Sequence, residues 1–397
     1  MDAATIERYA RLIVRFGANV QEGQIVAVST EPGKEELTRA IAAEAYRAGA
    51  RFDDVSSFDL HVKRARILHA TSDLGYVPPW YGERILALGE HRAARVGLTG
   101  PASPGVMDGL DPQRAGRDGL PFLAELGKVV NERTTNWTAS PCPTEAWARL
   151  VHPDLEPADA LARLWEQVLH VCRLDEDDPV AAWRHRAEVL VGAAQRITAR
   201  GFDALHFEGP GTDLRVGLLP TSRWTAARFE TVDGLEHMPN LPSEEIFTTP
   251  DPERVDGEVR ATKPLVLSGA IVRGLRVRFE AGRVVEVRAD AGGELLEAYT
   301  RRDAGAARLG EVALVDRDGR IGPLDTVFYD TLLDENAASH IALGSAYAFT
   351  VGEEDLGRVN ESSIHVDFMI GADDVDVTGV ETGGARVPVL RGGAWQV

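Results

Sequence analysis

The sequence is short of cysteine, of basic residues and of long apolar runs, and each shortage excludes something. Only Cys142 and Cys172 occur in 397 residues, and neither sits in a Cys-x-x-Cys pair. A disulfide scaffold and a thiolate zinc knot are therefore excluded, and the two thiols read as reduced packing residues. Lys and Arg number 43 against 62 Asp and Glu, giving a net charge of −19. That balance argues against nucleic acid as a partner, because phosphate-backbone binding draws on clustered cations. No run of about eighteen uncharged apolar residues is present, so no membrane-spanning helix is expected. The opening stretch, MDAATIERYARLIVRF, carries Asp2 and Glu7 among its apolar positions and lacks a basic leader, so no secretory signal is expected and a cytoplasmic location is the default.

Single-motif chemistry is missing too. There is no phosphate-binding Gly-x-x-x-x-Gly-Lys-Ser/Thr loop, no Gly-x-Ser-x-Gly elbow and no His-Glu-x-x-His helix. Gly209-Pro210-Gly211 lacks the third glycine of a dinucleotide loop and reads as a plain turn. Any chemistry must come from dispersed residues.

What is present is an ordinary globular composition, 44% apolar, long enough for two domains. Ile6, Tyr9, Leu12, Ile13 and Phe16 form one helical stripe, with Gly17 placed to end it in a left-handed conformation. Gln24 to Ser29 reads as a strand, Leu37 to Gly49 as a helix, and Asp53 to Phe58 and Ala94 to Thr99 as further strands. The fold class expected is therefore α/β, with a mostly parallel sheet in an N-terminal domain. Helical spacing over 157–176 and 180–200 is interrupted by the acidic Asp175 to Pro179 stretch, which sets the expected boundary between domains 1–180 and 181–397. Beyond Gly201 the pattern becomes strand-like, with a hairpin turn at Glu280-Ala281-Gly282, so the second domain is expected to be a sheet-rich α+β unit.

The candidate chemistry lies in that second half. In SSIHVDFMIG, strand alternation puts His365 and Asp367 on one face and Val366, Phe368 and Ile370 on the other. DENAASHIALGSAY, 334–347, reads as a helix with an acidic first turn, placing His340 and Tyr347 two turns apart on one stripe. Glu311 opens the apolar run EVALV, and Glu245 sits in NLPSEEIF. Each alone is compatible with an ordinary solvated or core residue. Together, two imidazoles and three carboxylates at the ends of regular elements match the ligand inventory of a pair of divalent cations of the zinc, cobalt or manganese kind.

Several stretches in order, among them YARLIVRFGANVQEGQ, GPGTDLRVGL, HMPNLPSEEIFTTPD, LGEVALV, FYDTLLDENAASHIALGSAY, HVDFMIG and RGGAW, resemble the aminopeptidase T family of metal-dependent exopeptidases. The resemblance implies metal ligands at Glu245, Glu311, His340, His365 and Asp367, and a catalytic tyrosine at Tyr347. It also implies an N-terminal α/β domain, a C-terminal metal-bearing domain, a homodimer, and peptides with a free N-terminus as substrates. Glu244, next to a ligand position, is the candidate general base, or else a solvated carboxylate. An amidase, a dipeptidase or a non-catalytic peptide- or metal-binding protein remain as alternatives.

Overall fold

The computed structural model describes residues 1–71, 73–121 and 123–397. The first half is built on four parallel strands in the order Phe52–Ser57, Ile25–Thr30, Ala94–Thr99, Trp137–Pro141. Helices cover this sheet, as a parallel sheet requires. Helix Ala3–Leu12 starts at Asp2, whose side chain accepts from the Thr5 N–H, and it buries Ile6, Tyr9 and Leu12 as their spacing predicts. It does not end at a left-handed Gly17. The chain widens instead into a π turn over Ile13–Gly17, and the left-handed residue is Asn19, φ 48°. Gly17 serves close packing: a Cβ there would lie 2.7 Å from Leu241 Cδ1 and 2.9 Å from Thr138 Oγ1.

Helices Pro157–Val171 and Pro179–Arg200 lead into antiparallel structure. An eight-stranded sheet runs Arg283–Arg288, Arg276–Glu280, Pro250–Arg260, Thr212–Leu218, Ala204–Gly209, Asp376–Val380, Arg386–Arg391, Ala394–Trp395. Its hairpins turn where the sequence places them, at Pro210-Gly211 and at Ala281-Gly282, the latter pair both with positive φ. A small separate hairpin pairs Leu265–Leu267 with Ala270–Val272. A second sheet of five strands has the order His365–Met369, His340–Gly344, Leu309–Val315, Glu245–Thr248, Thr225–Ala226. Its central strand, Leu309–Val315, is buried at every position.

One expectation fails here. The 334–347 segment is not one helix; a short helix, Thr331–Glu335, is capped by Asp330 and gives way to the strand His340–Gly344. Alanine-rich sequence favours a helix locally, but this stretch pairs on both sides, with Leu309–Val315 and with His365–Met369, and tertiary pairing overrides propensity. Asp330 also ties the halves together, since its carboxylate accepts from the Gly100 N–H at 2.7 Å. Cys142 and Cys172 are buried and unpaired, and burial pushes both thiols up to about 12. Among the described residues no helix is long and apolar enough to cross a membrane.

Candidate metal centre

Cross-strand register assembles the centre. It sets Glu245 opposite Val315, Ala313 opposite His340, Glu311 opposite Ala342, Ala342 opposite Asp367, and Gly344 opposite His365. Residues opposed across strands, or two apart along one, share a face. All five candidate side chains therefore rise from one face of four adjacent strands. A bulge between Leu309 and Glu311 sets the local register, and it needs Gly310: a Cβ there would collide with the carbonyl oxygens of Gly344 and Ser345.

Glu311 lies between the two imidazoles. His340 Nε2 is 4.0 Å from Glu311 Oε1 and 3.0 Å from Glu245 Oε2. His365 Nε2 is 3.1 Å from Glu311 Oε2 and 3.3 Å from Asp367 Oδ1. The remaining ring nitrogens are held by the backbone: His340 Nδ1 lies 3.1 Å from the Glu335 carbonyl oxygen, and His365 Nδ1 2.8 Å from that of Ser345. Donation to those carbonyls fixes the tautomer that leaves each Nε2 lone pair aimed inward, the usual arrangement of a metal-binding histidine. Glu245 Oε2 is buried without a hydrogen bond of acceptable geometry. An orphaned carboxylate oxygen amid imidazole and carboxylate donors fits a cation. Two donor triads can be drawn around Glu311: with Glu245 and His340, and with His365 and Asp367.

Electrostatics of the cation-free cluster say the same. Burial works against charge on both histidines, but the surrounding carboxylates, Glu245 for His340 and Asp367 for His365, hold both imidazoles well above their ordinary range. Burial and neighbouring acids raise Glu311 and hold Glu335 well above the usual carboxylate range. This is an excess of negative charge awaiting compensation.

Tyr347 reaches the pocket by a different route from the one the sequence predicts. It follows the strand His340–Gly344 rather than sharing a helix with His340, and its ring packs against Phe247 and His365 with centroids 5.1 and 5.3 Å away. Asn131, on helix Ala124–Asn131 of the first half, grips the backbone on either side of it, donating to the Ala346 carbonyl at 3.2 Å and accepting from the Ala348 N–H at 2.7 Å. Burial first, then Glu311 and the other acids, hold the phenol well above its usual range, so it stays a proton donor at any working pH.

The sequence matches a family model described as thermophilic metalloprotease (M29) over residues 2–395. The chain belongs to that family. Aminopeptidase T of Thermus aquaticus is 42% identical over 410 residues, covering all of both chains. Aminopeptidase PepS of Streptococcus thermophilus is 35% identical, covering 99% of this chain and 98% of the relative. The solved structure of wild-type AmpT from Thermus thermophilus superposes with a TM-score of 0.87 at 40% identity, covering 99% of each chain.

Two residues of this M29 protein differ from the sequence-based expectation. Glu244 does not face the cluster. Successive residues of an extended chain point to opposite sides, so with Glu245 in the pocket Glu244 is turned away. Its carboxylate is buried between Arg173 Nη2, 2.6 Å, and Arg186 Nε, 2.5 Å, and Arg186 also holds Asp316 at 2.8 Å. It is a structural ion-pair centre, neither solvated nor near a reacting atom. Glu335, which the sequence reading passed over, lines the pocket instead and forms a third donor group with His340 and Asp367. In the sequence Glu335 reads as part of an acidic first turn, where the dipole favours an anion; the structure puts it instead at the closing end of a short helix, where the dipole disfavours one, a local cost that points to function. Trp137 and Asn240 also line the pocket and were not singled out.

Proposed function

We propose that this metalloprotease is an aminopeptidase that releases the N-terminal residue of peptides with the help of two divalent cations. The observation that carries the reading is Glu311, whose two carboxylate oxygens face two different imidazoles. The names of its relatives, aminopeptidases, point the same way. Glu245, Glu311 and His340 would hold one cation, and Glu311, His365 and Asp367 the other. Oxygen and imidazole donors without thiolate suit zinc, cobalt or manganese. When bound, the cations supply positive charge that acidifies a water and polarises the scissile carbonyl.

The chain's own groups do the rest. Glu335, which lines the pocket beside His340 and Asp367, takes the proton of the attacking water and returns it to the leaving amine. The Tyr347 phenol donates a hydrogen bond to the developing oxyanion, an effect worth about 3 kcal/mol for one such donor. The same reading takes the chain as a cytoplasmic homodimer with domains 1–180 and 181–397. Its buried unpaired thiols suit a reducing compartment, and light scattering of the purified protein tests the dimer.

The experiment is the comparison of a free-amine peptide with its N-acetylated twin, using metal-replete protein. Release of the first residue from the free peptide alone is the expected result. Cleavage of both makes the protein a broader amidase, and cleavage of neither makes it a binding protein.

A further inference from the structure

A second cleft, of about 400 Å³, opens beside the metal pocket and shares Trp137, Tyr347 and His365 with it. That size suits a small-molecule or side-chain site. Its walls are mostly apolar, with Leu123, Leu126, Val130 and Ile364 among them, and no carboxylate lines it among the described residues of a chain whose net charge is −19. Among the described residues, Arg95 is the Lys or Arg side chain that lines it.

Arg95 lies on the strand Ala94–Thr99, opposite Trp137 in the parallel register, so the two side chains share a face. Alternation along this strand buries Ala94, Val96 and Leu98 on the other side. Among the described residues no acid lies within ion-pair distance of Arg95, and its guanidinium donates no hydrogen bond. The nearby Arg84 cannot help, being a like charge already bonded to Asp54 at 2.7 Å. Burial, with Arg84 adding to it, lowers Arg95 to about 10, so it remains charged at neutral pH. A partly exposed guanidinium without a counter-ion, at an apolar cleft that joins the reaction site, is free to take an anion with two oxygens, which its planar fork binds bidentately.

We propose that this cleft is a substrate subsite whose apolar walls take a side chain of the peptide and whose Arg95 pairs with a peptide carboxylate. The inference rests on the aminopeptidase reading and adds a selectivity to it. The carboxylate has two possible sources, the free C-terminus of a short peptide or an acidic side chain. The subsite makes the enzyme favour peptides that carry that charge within a residue or two of the bond cut.

The test measures kcat/KM for leucine release by metal-replete wild type, Arg95→Met and Arg95→Lys. Substrates come in pairs: Leu-Leu with Leu-Leu-amide for the C-terminus, and Leu-Glu-amide with Leu-Gln-amide for the side chain. In Arg95→Met the acid-over-neutral ratio falls about thirtyfold in at least one pair, the low end for truncating one partner of a desolvated charge pair. Arg95→Lys recovers part of it, and the pair affected identifies the source. An unchanged ratio in both pairs overturns the proposal, whether overall turnover falls or not. Failure of the wild type to release leucine from Leu-Leu-amide would instead strike the aminopeptidase reading, so the two failures are separable.

Discussion

Replacing Glu335 and Glu244 separately with Gln divides chemistry from architecture. Glu335→Gln keeps the shape, and it keeps an acceptor for the long contacts, each 3.5 Å, from the side-chain amides of Asn240 and Asn336. It removes the proton acceptor. General-base catalysis contributes about 10²–10⁴ in rate, or roughly 3–5 kcal/mol of barrier at 1.36 kcal/mol per tenfold. A fall of that size in kcat, with metal content and KM held, is expected. Ionising Glu335 among Glu245, Glu311 and Asp367 is unfavourable in the metal-free protein, so at neutral pH the variant's metal-free form is at least as stable as wild type. Glu244→Gln does the opposite. It leaves Arg173 and Arg186 facing a neutral amide in a buried position, which costs about 3–5 kcal/mol, a large part of the roughly 5–15 kcal/mol that holds a domain together. Turnover per folded molecule is expected to remain. The assay is leucine release from a chromogenic leucyl anilide beside denaturant unfolding and elemental analysis. Glu335→Gln with near-normal kcat refutes the base assignment, and a Glu244→Gln protein that folds normally but turns nothing over would return the base role to Glu244.

Three further outcomes are expected. Glu311→Ala and His340→Ala each lose bound cation and all metal-dependent release, measured by elemental analysis and the same leucyl assay; either variant with full metal content and normal turnover contradicts the donor set. Tyr347→Phe lowers kcat about a hundredfold while metal content stays intact, since it deletes one oxyanion donor and no ligand. Chelated protein loses stability as pH rises above about 6.5. His340 and His365 have raised folded values, so the stability they contribute is full below their ordinary value of 6.5 and is lost as pH climbs through the raised ones; the raised Glu311 and Glu335 act in the same direction from 4.5 upward. The lowered Asp367 matters only in acid. Cation uptake expels these protons and removes the trend, so melting curves of the chelated form that rise between pH 7 and 9 would contradict the charge balance described.

Local pattern carried the strand His365–Met369, because polar and apolar residues alternate along it, and the hairpins, because their turn residues tolerate positive φ. It failed at His340–Gly344. Ile341, Ala342 and Leu343 are buried on both faces, and a short buried strand rich in Ala has no periodicity of its own to separate it from a helix. The composition of the centre was legible as residue types, and the resemblance supplied the set of five. The register that brings them onto one face was not legible, because it depends on a bulge at Gly310 and on pairings between separate strands. The sidedness of Glu244 and Glu245 is a matter of strand phase, and the turn before Glu245 hid that phase. Glu335 was read into the wrong end of a helix, so its cost there went unnoticed.

The Asn131 bracket has a mechanical consequence. On the mechanism proposed above the Tyr347 phenol meets a transient charge, and its backbone is gripped by an amide more than two hundred positions earlier in the chain, on a helix that also walls the neighbouring cleft. Prising that helix outward to admit a bulkier ligand would loosen the tyrosine in the same movement. On that mechanism, how wide the entrance stands and how fast a bond is cut would be governed by one joint, and variation in the first half of the polypeptide would retune the speed of a reaction whose proposed metal donors all lie in the second.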